Sequence, residues 1–156
     1  MNEFGQQNPT LFVIALVGMI AGMWLVTGWL ISFLSGWAAL AEQYRTDRSF
    51  PEHKRWMQGA MMRWGCHYNG ILTLASDDDG LYMGVTVPIF MGHPRLFIPW
   101  RDVKAEEPAR WFFIMTQRLR LGPDAVPFRL REPLAYFLLY PGGGGTPPAG
   151  ALRQPY

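Results

Sequence analysis

The stretch from Leu11 to Ala41, LFVIALVGMIAGMWLVTGWLISFLSGWAALA, is free of charge, and no charged residue occurs between Glu3 and Glu42. A helix rising ~1.5 Å per residue needs roughly 20 apolar residues to cross a ~30 Å hydrocarbon layer. This run exceeds that length, and no core helix of a small soluble domain needs so much uninterrupted apolar sequence. Residues 1–41 therefore read as an N-terminal transmembrane anchor. Asn8-Pro9-Thr10 marks its start, with Asn8 as cap and Pro9 at the first helical position, where a missing N–H does no harm. A cleaved signal peptide is the rival, because Ala39-Leu40-Ala41 has the small-x-small form of a cleavage site. The residues ahead of the run hold Glu3 but no Lys or Arg, however, and the run is about twice the ~7–15 residues of a signal core.

Orientation follows from charge. Nothing basic precedes the span, while Arg45, Arg48, Lys54, Arg55 and Arg63 follow it closely. The positive-inside rule counts Lys and Arg near the span. It predicts a single-pass protein of the inner membrane, N-terminus outside, with everything after residue 42 in the cytoplasm. Cys66 is the single cysteine, so no intrachain disulfide can form. The chain carries a formal +2, and the part after Glu3 carries +3. That is too mild and too scattered for a nucleic-acid binder, although it suits a domain held near an anionic leaflet.

Residues 42–61 are polar with interspersed aromatics and read as a juxtamembrane connector, in which Pro51 interrupts any continuous helix. Trp37, Tyr44 and Trp56, with Arg45 and Arg48, are placed to sit at the headgroup level. From residue 62 to 140 the signals are those of one small, mainly antiparallel β domain. Ile71–Ala75 and Leu81–Val87 flank Ser76-Asp77-Asp78-Asp79-Gly80, two β-capable runs around an Asp/Gly turn. Leu96-Phe97-Ile98 is a short strand stopped by Pro99. Trp111–Leu121 reads as a longer strand with Thr116, Arg118 and Arg120 on one face and Met115, Leu119 and Leu121 on the other. Gly122-Pro123-Asp124 turns the chain into Val126–Leu130, and Pro133 opens a terminal helix over Leu134–Tyr140.

The segment Gly92-His93-Pro94-Arg95-Leu96-Phe97-Ile98-Pro99-Trp100-Arg101-Asp102-Val103 resembles the "apolar strand, Pro-Trp/Tyr, polar, Asp/Glu, Ile/Val" element of bacterial pleckstrin-homology-like and GRAM-like domains. It is similar, too, to a stretch carried by uncharacterised single-pass bacterial membrane proteins. The resemblance covers residues 62–140. It implies a small, partly open β-barrel with a helix closing one end, serving as a docking platform without catalytic residues.

Little here carries chemistry. Asp77-Asp78-Asp79 lacks the alternating ligands and distal Glu of a calcium loop and reads as a solvated turn. Cys66-His67 are adjacent, so on a strand they face opposite ways, and His53 and His93 complete no zinc spacing. No Ser-His-Asp order, phosphate loop or carboxylate pair is present, so neither an enzyme nor a small-molecule substrate is expected. All histidines lie outside the span, which excludes the usual imidazole ligation of haem or pigment there, and no cofactor is expected.

Within the span Gly18, Gly22, Gly28, Ser32 and Gly36 fall on one arc, a small-residue face that lets another helix approach closely. The tail, residues 141–156, is Gly/Pro-rich and cannot build its own core. It reads as an extended strap on a neighbouring subunit, with Pro147, Pro148 and Tyr156 as docking points alongside Pro99, Trp100 and Arg101 of the β domain. These features predict a non-catalytic accessory subunit of a larger bacterial membrane complex, with integral membrane subunits as partners. By architecture it looks like small single-pass subunits of photosynthetic reaction-centre–antenna or respiratory assemblies. The alternative is a membrane-tethered lipid-sensing or signalling module, for which Arg118 and Arg120, with Arg129 and Arg131, are the headgroup candidates.

Overall fold

In the computed structural model, residues 8–86, 92–111 and 114–140 are described. Helix α1 (Pro9–Ser35) starts where Asn8-Pro9 predicts, and the Asn8 carbonyl accepts the Phe12 N–H at 3.2 Å. By length and composition α1 is apolar enough to cross a membrane. The apolar run is not one helix, however. Gly36 adopts φ 85°, its N–H returning to the Phe33 carbonyl, and α2 (Trp37–Tyr44) begins directly after it. A Cβ at Gly36 would lie 3.0 Å from the Val126 side chain, so both the conformation and the close approach call for glycine.

Among the described residues eight strands follow: β1 (Arg55–Met61), β2 (His67–Ser76), β3 (Gly80–Val85), β4 (Leu96–Pro99), β5 (Val103–Ala105), β6 (Ala109–Trp111), β7 (Ile114–Leu121) and β8 (Val126–Arg131). They form one antiparallel, nearly closed, barrel-like sheet in the order β4-β3-β2-β1-β8-β7-β5, with β6 pairing farther along β7. Helix α3 (Glu132–Leu139) packs on β2, β7 and β8 and buries Leu134, Ala135, Leu138 and Leu139 in the core. An N-terminal helix, a mainly antiparallel β domain and a short C-terminal helix are thus all present. The expected β2–β3 hairpin is in register from Leu72↔Val85 to Ser76↔Leu81. Its turn is closed by the Asp77 carboxylate, which accepts the N–H groups of Asp79 and Gly80 at 3.0 Å each.

Two boundaries differ from the sequence reading. β1 occupies residues 55–61, the end of the supposed connector, so the β domain begins earlier than residue 62. Its burial does not alternate, and two register shifts against β2 interrupt it, which leaves no period-two signal to read. The segment Trp111–Leu121 is not one strand: Trp111 ends β6 and pairs with Ile114 of β7. Aromatic and β-branched residues crowd this hairpin without the Gly or Asn that would announce it. In addition, the chain leaving α2 meets the outer edge of β4, through the Arg45↔Leu96 bridge and a 3.0 Å bond from the Thr46 N–H to the Arg95 carbonyl. This covers the start of the edge strand, at Arg95 and Leu96.

Candidate functional site

Two regions concentrate the features that matter: the joint between α1 and the β domain, and a groove beside β1 and β8.

The joint is built from polar side chains at the end of α1. From Pro9 to Thr27 the helix is exposed apart from half-buried Gly22, whereas Gly28, Ser32 and Ser35 are buried. Those 19 residues span ~28 Å at 1.5 Å each, one hydrocarbon thickness. Ser32 Oγ donates to the Gly92 carbonyl, and the Tyr68 hydroxyl donates to Ser35 Oγ at 2.8 Å and lies 2.9 Å from His93 Nε2. Trp37 follows immediately, fully buried, its ring 5.7 Å from Tyr68 and 5.1 Å from His93, with Nε1–H donating to the Pro94 carbonyl at 3.1 Å. Burial raises the Tyr68 phenol to about 12. The packed end of α1 and the start of α2 are therefore part of the β domain.

This arrangement changes several sequence expectations. The small-residue face divides: Gly28, Ser32 and Gly36 are used by the chain's own domain, and a Cβ at Gly18 or Gly22 would meet nothing within 4 Å. Trp37 is core, not a headgroup anchor, because the Gly36 break turns its ring toward Tyr68. Tyr44 packs against Gly122, and burial together with the Asp102 carboxylate raises its phenol to about 12. Arg45 and Arg48 stay exposed, Arg48 stacking 4.8 Å above Phe97, and Trp56 is exposed with the Lys54 ammonium 4.8 Å over its ring. Trp100 is no docking residue, since it is buried and its Nε1–H holds the Asp77 carbonyl at 2.7 Å. Pro99 is half-buried beside it and Arg101 is exposed, while Pro147, Pro148 and Tyr156 lie outside the described residues.

The groove opens where β1 and β8 part. They pair at the single position Met61↔Arg129, against the six register positions joining β8 to β7. It encloses about 760 Å³, inside the roughly 300–1,000 Å³ of ligand clefts. Arg55 enters from β1, its guanidinium 4.3 Å over the Phe137 ring of α3, and Arg129 and Arg131 enter from β8. Met57, Met61, Leu134 and Phe137 supply apolar walls, and His67, Asn69 and Thr116 add polar groups. No acidic side chain lines the groove among the described residues. Of the four arginines expected to form a basic pocket, only Arg129 and Arg131 do so. Arg118 sits directly opposite Arg129 on β7 without lining the groove, and Arg120 is paired with Glu106. Arg55 was missed by sequence reading, since only the β1–β8 junction brings it near the other two.

Compared with known families, characterised proteins and solved structures, the chain matches none.

Proposed function

We propose that this chain is a non-catalytic accessory subunit of a larger bacterial membrane complex, anchored by α1 and presenting a rigidly oriented β domain to its partners. The observation that carries this reading is the joint. A sensor that samples a membrane surface is served by a flexible linker, yet here Ser35 and Trp37 are both buried, so no slack separates helix from domain. A fixed orientation is useful to a subunit that bridges neighbours on two surfaces, the helix within the bilayer and the domain beside it. The meander β1–β4, the strands β5 to β8 and the terminal helix support a pleckstrin-homology-like docking barrel. The presence of Arg55, Arg129 and Arg131 in one groove free of acidic side chains among the described residues favours the second reading, a lipid-sensing module.

Inserting Gly-Ser-Gly-Gly-Ser-Gly between Ser35 and Gly36 separates the two readings. The domain should keep its far-ultraviolet β-sheet spectrum, because Trp37 stays on the domain side even as the Ser32 and Ser35 contacts loosen, while co-purification of partners in mild detergent drops at least tenfold. Undiminished co-purification would reject the accessory subunit and leave the tethered sensor.

The same proposal places the N-terminus outside and the β domain in the cytoplasm, on the basic residues that follow the span. Protease added to intact cells is then expected to leave residues 42–156 uncut. Their digestion from outside would reverse the topology.

A further inference from the structure

The groove between β1, β8 and α3 has a shape that the accessory reading does not by itself require. Arg129 and Arg131 stand two residues apart on one face of β8, a spacing of roughly 7 Å along a strand. Arg55 lies at the start of β1, whereas the β1–β8 pairing is at Met61, near the strand's other end. Cations strung along a strand in this way do not converge on one point, as binding of a single phosphate would need. They match instead the i, i+2 side chains of an extended chain lying parallel to β8.

The rest of the groove agrees. Apart from Met61, no residue of β1 pairs with β8, so the edge of β1 that faces the groove lacks a ladder partner over residues 55–60. Register shifts at Gln58 and Met57's φ of 53° break that edge up, so backbone pairing with a ligand can be only partial and the arginines must supply selectivity. Met57, Leu134 and Phe137 offer apolar contacts for the side chains between the acidic ones. Arg118, opposite Arg129, adds positive potential beside the site, and its buried Nε has no hydrogen-bond partner among the described residues.

We propose that this groove binds an extended acidic segment of a partner protein, with Glu or Asp side chains at alternate positions meeting Arg129 and Arg131. The assignment rests on the accessory-subunit reading and names the chemistry of its docking contact.

The test is a fluorescence-anisotropy titration of the full chain in phosphatidylcholine nanodiscs. The probe is fluorescein-Gly-Glu-Val-Glu-Val-Glu-Val, with the Gln-for-Glu analogue as control. Saturable binding of the Glu peptide is expected, weakened at least tenfold by Arg131→Gln, by Arg129→Gln and by the Gln analogue, since each removes a charge-assisted hydrogen bond. Arg101→Gln, at an exposed arginine outside the groove, should change nothing. Arg131 is exposed, so Arg131→Gln should keep the wild-type melting temperature and report on binding alone. Absence of saturable binding, equal affinity for the Gln analogue, or no effect of Arg131→Gln would overturn the proposal. Nanodiscs containing 30% phosphatidylglycerol supply the other arm: displacement of the peptide through the same arginines would make this a headgroup site and reject a protein ligand. If the peptide fails while the Ser35–Gly36 insertion still releases the partners, the accessory reading stands and only the groove assignment falls.

Discussion

Replacing Trp37 with alanine is expected to destabilise the β domain by about 3–5 kcal/mol, the cost of deleting a buried aromatic ring. The ring is fully buried, contacts Tyr68 and His93 at centroid distances of 5.7 and 5.1 Å, and donates its N–H to the Pro94 carbonyl. Truncation leaves a cavity at the joint and strips that carbonyl of its donor, so the transfer and hydrogen-bond losses add. For a domain of this size the melting temperature should fall by roughly 12 °C or more. The measurement is thermal unfolding of the full chain in detergent micelles, followed by near-ultraviolet circular dichroism. Trp37→Phe keeps most of the apolar contact and loses the N–H, so its drop should be clearly smaller. A Trp37→Ala protein melting within a few degrees of wild type would show that the joint does not belong to the domain's core. Membrane association should be unaffected, because the exposed apolar stretch over residues 9–27 is long enough to cross a bilayer without Trp37.

How far these features could be read from the sequence depended on how local their causes are. The long apolar helix was legible because hydrophobic length is a property of consecutive residues, and the Asp77–Gly80 turn because its hydrogen bonds link neighbours. Helix α3 was visible from Pro133 and the apolar run behind it. The break at Gly36 was hidden, since a glycine in an apolar run reads equally as packing surface, and only the approach of Val126 shows otherwise. Trp37 and Trp100 follow the same logic. An aromatic residue at the end of an apolar stretch looks like an interface anchor until distant strands fold over it. β1 has its partner β2 but no alternating burial of its own, so composition said connector. As for the groove, strand parity in Val126–Arg131 sets Arg129 and Arg131 on one face. Arg55 joins them only through the meeting of the first and last strands, a contact between residues more than sixty positions apart.

The division of the small-residue face makes the second large effect a paired one. Gly22→Leu should leave the domain's melting temperature unchanged, because nothing lies within 4 Å of a Cβ there, and should leave insertion intact because leucine favours the bilayer. If a partner helix packs on this face, the added bulk holds it away, and packing is what drives helix association in lipid. Co-purification in mild detergent should then fall at least tenfold. Ser32→Leu is predicted to act differently. Ser32 is 2% exposed and donates to the Gly92 carbonyl, so leucine overfills the joint at a cost of about 1–3 kcal/mol and leaves that carbonyl without its donor. Its signature is a lowered melting temperature, with any loss of partners following from the damaged domain. The two substitutions together separate what the stripe does for the chain from what it does for a neighbour. A Gly22→Leu protein that retains every partner at full yield would mean that this face of α1 meets lipid. The stripe would then serve only the packing of Gly28, Ser32 and Gly36 against the chain's own domain, and the bridging role would have to rest on the β domain alone.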